Sequence, residues 1–221
     1  MSTIAIIGAG PGLGQACARR FGREGFSVAL ISRTQVHVDD LAAELVTEGV
    51  SARGYAANAR DPQGLRTALA AAAADLGPIE VLQYSPVPAK EFMKPVLDTT
   101  AEDFAGPIEQ SVYGLVVAVQ HLLPGMRELG RGTILLVNGG STVRPSGGVA
   151  GTSVAFAGES AYGQMLHDAL APKGIHVAQL IIPRGIGGGE PDHEPAALAD
   201  RMWSLHRDRG GFRSYVGEEI V

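Results

Sequence analysis

The sequence predicts an α/β chain of three layers, α/β/α: a doubly wound parallel sheet of about seven strands with helices on both faces. Three observations carry this. Apolar runs of strand type alternate with segments of helical periodicity along the whole chain. The first run, at 4–7, stops at Gly8 and passes through a glycine-rich turn directly into a helical pattern. The length of 221 residues suits one α/β domain over 1–221, with no change of composition that marks a linker.

Taken in order, the helix behind the glycine turn shows Leu13, Ala16, Cys17 and Phe21 at helical spacing. Residues 27–32 (Ser-Val-Ala-Leu-Ile-Ser) read as a second buried strand, and 38–47 as a helix. A short third strand at 52–57 precedes Asp61, which caps a helix carrying the alanine run 68–74. The fourth strand, 79–84, is halted at Ser85-Pro86-Val87-Pro88, because proline cannot continue a ladder. A long helix is expected over 101–123, with Val112, Leu115, Val116, Val119 and Leu122 as its apolar face and Pro107 as a candidate kink. The fifth strand, 133–137, leaves through Asn138-Gly139-Gly140-Ser141 into a glycine-containing loop. A helix over 152–171 is stopped by Pro172-Lys173-Gly174, and 175–182 is the sixth strand. Beyond it, Gly185 to Gly189 with Glu190, Asp192, His193 and Glu194 read as a solvated loop, and a helix at 195–206 and a strand at 212–216 close the chain.

Helices of this length between strands imply right-handed crossovers, a parallel sheet and a ligand site beyond the carboxyl ends of the strands. That rim gathers the glycine turn, Asn58, the 84–87 step, the 138–141 step and the 183–189 loop.

The balance of charges excludes other classes. A net charge of −5 and a pI near 5.7 leave no basic footprint, so nucleic acid is not an expected partner. No apolar run approaches the roughly 18 residues of a membrane span, and the chain enters its first strand with no charged leader. A cytoplasmic protein is expected. Cys17, the single cysteine, excludes an internal disulfide or a multi-cysteine metal site and is expected in the core. No metal site is expected.

The glycine turn carries a specific chemistry. Gly8 permits the tight turn, Gly10 and Pro11 extend it, Gly12 admits a diphosphate close to the backbone, and Gly14 lets the helix that begins at Leu13 pack on the strand. The diphosphate then meets the free amides and positive end of that helix, as in a Rossmann-type fold. At the end of the second strand, Ser32-Arg33 stands where an acid would hold the free 2′-hydroxyl of NAD and a cation would accept the 2′-phosphate of NADP. With no acid there, NADP(H) is favoured over NAD(H); the other reading of Arg33 is a solvated strand end.

The order of parts resembles the short-chain dehydrogenase/reductase family over nearly the whole chain. The family's Thr-Gly-x-x-x-Gly-x-Gly motif falls on Ile7, Gly8, Gly12 and Gly14, with Ile7 in place of threonine. Its Asp-Val step on adenine falls on Asn58-Ala59, its Asn-Ala-Gly segment on Ser85-Pro86-Val87, and its turn into the sixth strand on Pro172-Lys173-Gly174-Ile175-His176-Val177. The resemblance implies that Pro183, Gly185 and Ile186 also line the cofactor site.

The family uses an asparagine, a serine, a tyrosine and a lysine four residues after the tyrosine. Counting back from Gly174, the resemblance puts the tyrosine at Thr152, the lysine at Phe156, the serine at Gly139 with Ser141 the nearest hydroxyl, and the asparagine at Ser111. All four positions are changed. Thr152 has no usefully titrating hydroxyl and Phe156 brings no charge, so the usual phenol-and-ammonium proton donor is absent. Tyr113 is a replacement candidate, as is His193. Tyr162 lies ten residues past Thr152, about 15 Å along a helix and too far. Tyr84 is a candidate wall of the cofactor pocket.

Three functions follow from this pattern: an NADP(H)-dependent oxidoreductase with a non-standard or impaired centre, a cofactor-binding pseudoenzyme acting as a sensor or inactive subunit, and a non-redox enzyme on the same fold. Pro86, Val87, Val143, Phe156 and Ile186 predict a small-molecule, apolar ligand. The resemblance implies a homodimer or homotetramer, and Gly158, Ala161 and Gly163 are suited to close helix approach.

Overall fold

The computed structural model describes residues 2–218. Strand β1 (Thr3–Ile7) lies at the centre of a sheet with β2 (Ser27–Ser32) and β3 (Ala52–Ala56) on one side and β4 (Ile79–Tyr84), β5 (Gly132–Gly139), β6 (Ile175–Ile182) and β7 (Arg213–Tyr215) on the other. Every described pair of neighbouring strands is parallel. The reason is visible in the residues: β1 and β4 are buried at every position, as a strand covered on both faces must be.

Helices α1 (Leu13–Arg23), α2 (Gln35–Thr47) and α7 (Pro195–Asp208) cover one face. Their core is built on Ile4, Ile6, Phe21, Val28, Leu30 and Leu45, with Cys17 fully buried among them and its thiol pushed up by that burial. On the other face lie α3 (Pro62–Leu76), α5 (Gly114–Glu128) and α6 (Ala150–Leu170), over Ile7, Leu69, Leu82, Leu115, Met126 and Leu136. Asp61 caps α3 as expected, its Oδ1 accepting from the backbone N–H groups of Gln63 and Gly64 at 3.1 Å. The fold expectation therefore holds, with seven strands and three layers.

The long helix does not run as one piece. It starts as a single tight turn at Glu102–Phe104, becomes α4 (Ala105–Ile108), widens into a π turn at Glu109–Tyr113, and only then continues as α5. Pro107 lies in the short piece before the π turn, where its missing N–H interrupts the hydrogen-bond ladder. The widened turn leaves Ser111 buried and Tyr113 exposed.

Because β2 and β3 extend from β1 in one direction and β4 to β7 in the other, the chain reverses its order beside β1. That break opens a crevice at the carboxyl end of β1.

Candidate functional site

Two joined cavities occupy this crevice. One of about 350 Å³ lies over the ends of β1, β2 and β3 and includes Ser32, Arg33, Thr34, His37, Asn58 and Ala59. The other, of about 640 Å³, runs from the glycine turn past Ser85–Pro88 to Asn138, Phe156 and Ile182. Gly8, Gly10, Pro86 and Val87 belong to both. An elongated ligand can therefore lie across the head of β1.

The glycines do what their positions demand. Gly8 has φ +89°, and a Cβ there would sit 2.5 Å from the Ser85 carbonyl oxygen. The Ser85 N–H in turn donates to the Ile7 carbonyl at 2.9 Å, so the turn is welded to β4. A Cβ on Gly14 would meet the Ala9 backbone at 3.1 Å, where the helix packs on the turn. At Gly10 and Gly12 a Cβ would meet nothing within 4 Å, because both open onto the groove. Helix α1 begins with no side-chain cap and no acid in its first turn, which leaves its positive end facing that space. This open backbone cradle fits a dinucleotide diphosphate.

At the smaller cavity Arg33 is exposed and forms no ion pair among the described residues. His37, four residues on, lines the same wall. Sequence reasoning missed His37 and Thr34, although their position in the first turn after Arg33 was the available signal. Asn58 turns its Oδ1 to the Arg60 N–H at 3.0 Å and so shapes the wall beside Ala59. Among the remaining expected cofactor residues, Pro11, Leu13, Ser85, Gly185 and Ile186 line the larger cavity. Pro183 faces a separate cavity of about 780 Å³ with Arg144 and His193.

The other end of the groove is built from side chains. Phe156 closes it from α6 together with Asn138 from β5, and Met93 and Ile186 face it across the opening. Thr152, one helical turn before Phe156, is 5% exposed, and its hydroxyl oxygen finds no hydrogen-bond partner. Ser141 sits in the tight turn Gly140–Thr142, and Ser111 is buried in the π turn. Tyr113 is 58% exposed and is not among the residues that line the groove.

Two expectations change here. Tyr84 does not line the groove: it is fully buried, its hydroxyl donates to the Gln110 carbonyl oxygen, and burial holds the phenol neutral. His193 is not solvated. It is 6% exposed, its backbone carbonyl accepts from the Gly187 N–H at 2.8 Å, and its Nδ1 lies 3.3 Å from Glu190. Folding of the 187–193 loop onto itself, with Gly187, Gly188 and Gly189 all at positive φ, is what buries it.

Sequence reasoning also missed Glu159. It is 2% exposed, and burial pushes its carboxyl up to about 8, against the opposing influence of the Asn138 and Ser111 side chains. The available signal was helical arithmetic: Thr152, Phe156, Glu159 and Gly163 follow i, i+4, i+7, i+11 on the stripe that faces the sheet.

Comparison with known proteins agrees with this architecture. The short chain dehydrogenase family model matches residues 2–187. A human relative, dehydrogenase/reductase SDR family member 4, is 27% identical over 166 residues, 75% of this chain; the match spans 59% of that relative's length. A short-chain dehydrogenase from Rhodopseudomonas palustris superposes with a TM-score of 0.86 at 29% identity, covering 99% of both chains. The L-sorbose reductase of Gluconobacter frateurii, solved with NADPH and L-sorbose, superposes with a TM-score of 0.84 at 20% identity, covering 97% of this chain and 95% of that one. With a family match over most of its length, laid on this sheet and this glycine turn, the chain belongs to the short-chain dehydrogenase family.

Proposed function

We propose that the chain binds NADP(H) in preference to NAD(H) and exchanges hydride with an apolar small molecule bearing a carbonyl or hydroxyl group, at a centre that lacks the family's phenol and ammonium. The observation that carries this reading is the open cradle at Gly10 and Gly12, with Arg33 unpaired at its adenosine end among the described residues. The relative solved with NADPH supports the choice of cofactor. Gly8 to Gly14 and the start of α1 would hold the diphosphate, and Arg33, aided by Thr34 and His37, the 2′-phosphate. When bound, the nicotinamide supplies the hydride. Phe156, Met93 and Ile186 exclude water at that end and favour an apolar substrate.

Single-turnover consumption of NADPH, read at about 340 nm in the reduced-nicotinamide band, tests the reading against a panel of carbonyl compounds. The wild-type chain is expected to consume NADPH slowly, and Thr152→Tyr/Phe156→Lys to accelerate consumption by about 100-fold, the size of a restored proton donor. Consumption by the double variant alone would leave the wild type a cofactor-binding protein without turnover. A dimer or tetramer is expected by light scattering, because Val154, Met165 and Tyr113 expose apolar surface on the outer side of α6 and the π turn.

A further inference from the structure

The reading above leaves Glu159 without a role, although it is among the few carboxyl groups so deeply buried. Every element packed around it offers a group. The π turn contributes Ser111 and β5 contributes Asn138, the two neutral side chains that act on its carboxyl. From β6, the Gln179 amide donates to Asn138 Oδ1 at 2.7 Å, while its own oxygen accepts from Ser160 at 2.7 Å and from Arg213 at 3.2 Å. With Oδ1 so engaged, the Asn138 amide N–H groups are the ones left for Glu159. Arg213, from β7, is the cation tied into this cluster, and it ends on Gln179 and Ser160. Tyr84, from β4, is held neutral chiefly by burial. Glu109 on the π turn pairs with Arg60 at 2.9 Å, and Lys94 and Asp103, on the turns packed against the start of α6, pair with each other at 2.7 Å. Glu159 Oε1 itself has no partner. A carboxyl so placed has no counterion among the described residues and is poised to lose its proton when a positive charge arrives.

The groove shows where such a charge arrives. With adenosine at Arg33 and diphosphate on α1, a dinucleotide brings its nicotinamide ring to the end formed by Asn138 and Phe156. Asn138 stands between that end and Glu159, and Phe156 lies one helical turn before Glu159 on the same stripe. We propose that Glu159 is a proton-holding positioning residue that acts through Asn138, neutral when the uncharged reduced ring is bound and ionised when the cationic oxidised ring is bound. The inference rests on the dinucleotide reading above. The balance is one proton against one charge: the oxidised ring carries one positive charge more than the reduced ring, and Glu159 gives one proton to solvent. That proton matches the one a carbonyl oxygen takes up on becoming an alcohol. A unit positive charge brought to that end favours the carboxylate and changes its ionisation constant by about tenfold.

Calorimetry of NADP+ and NADPH binding to the intact chain, in buffers of different ionisation enthalpy, tests this without turnover. At about pH 7.5 NADP+ is expected to release roughly half a proton more than NADPH. Between about pH 6 and pH 9 the Kd for NADP+ is expected to fall about tenfold relative to that for NADPH. Protons tied to the 2′-phosphate act on both ligands and cancel. Glu159→Gln, which keeps the shape of the neutral acid, should bind both with equal proton release at every pH; Glu159→Asp should retain a difference. Equal release by the wild type, or a difference that survives Glu159→Gln, overturns the inference while the dinucleotide reading stands. Binding of neither ligand overturns both.

Discussion

The two ends of the groove are made of different material. The end at the glycine turn, proposed above to hold the diphosphate, is backbone: a positive-φ turn at Gly8, open faces at Gly10 and Gly12, and the uncapped start of α1. The other end, proposed above to take the nicotinamide, is lined by side chains such as Phe156 and Asn138, and the α6 stripe that carries Phe156 also carries the buried Thr152 and Glu159. A backbone site survives any substitution that leaves the glycines alone. A side-chain site can be rewritten residue by residue on an unchanged scaffold, and the family resemblance read from the sequence would put its Tyr and Lys positions at Thr152 and Phe156.

The largest expected effect tests the side-chain end. Glu159 has its carboxyl raised from 4.5 to about 8, so the stability contributed by its neutral form is complete below pH 4.5 and is lost as pH rises through about 8. Chemical denaturation across that range should show the wild type losing roughly 3–5 kcal/mol relative to Glu159→Gln. Parallel curves for the two proteins would mean that Glu159 ionises freely. The backbone end is broken by a contrast of two glycines. Gly8→Ala, with its Cβ forced against Ser85 at positive φ, should cost about 2–3 kcal/mol and lower the thermal midpoint by roughly 5–10 °C. Gly12→Val should lower the midpoint less than Gly8→Ala does and weaken NADP(H) about 100-fold by filling the groove, as read by fluorescence titration. Equal behaviour of the two variants would erase the distinction drawn between turn and cradle. The smallest effect sharpens the adenosine end: Arg33→Glu should weaken NADP(H) roughly ten- to thirtyfold and leave NAD(H) binding within about twofold.

The same contrast decides what could be read in the sequence. Strands β1, β2, β4 and β6 were legible because burial on both faces leaves each with mostly apolar residues, and the glycine turn because backbone geometry demands one residue type at fixed spacing. Pro107 marked a kink in the long helix, but the π turn after it was not legible, since Val112, Leu115, Val119 and Leu122 keep an apolar rhythm through π and α turns alike. Glu159 escaped because a charged residue in a helix ordinarily marks the wet face, and only the surrounding Ser111, Asn138 and Gln179 make its burial tolerable. Burial of His193 depends on how three consecutive left-handed glycines fold their loop, which no local periodicity encodes.

Cys17 gives the molecule a built-in reporter. Its thiol is fully covered on α1, directly behind the glycine turn, and it is the chain's single cysteine. A thiol-modifying reagent can therefore reach it only when the first β-α unit separates, so labelling speed counts those openings. Any ligand that clamps the head of α1 must slow the labelling in proportion to its occupancy.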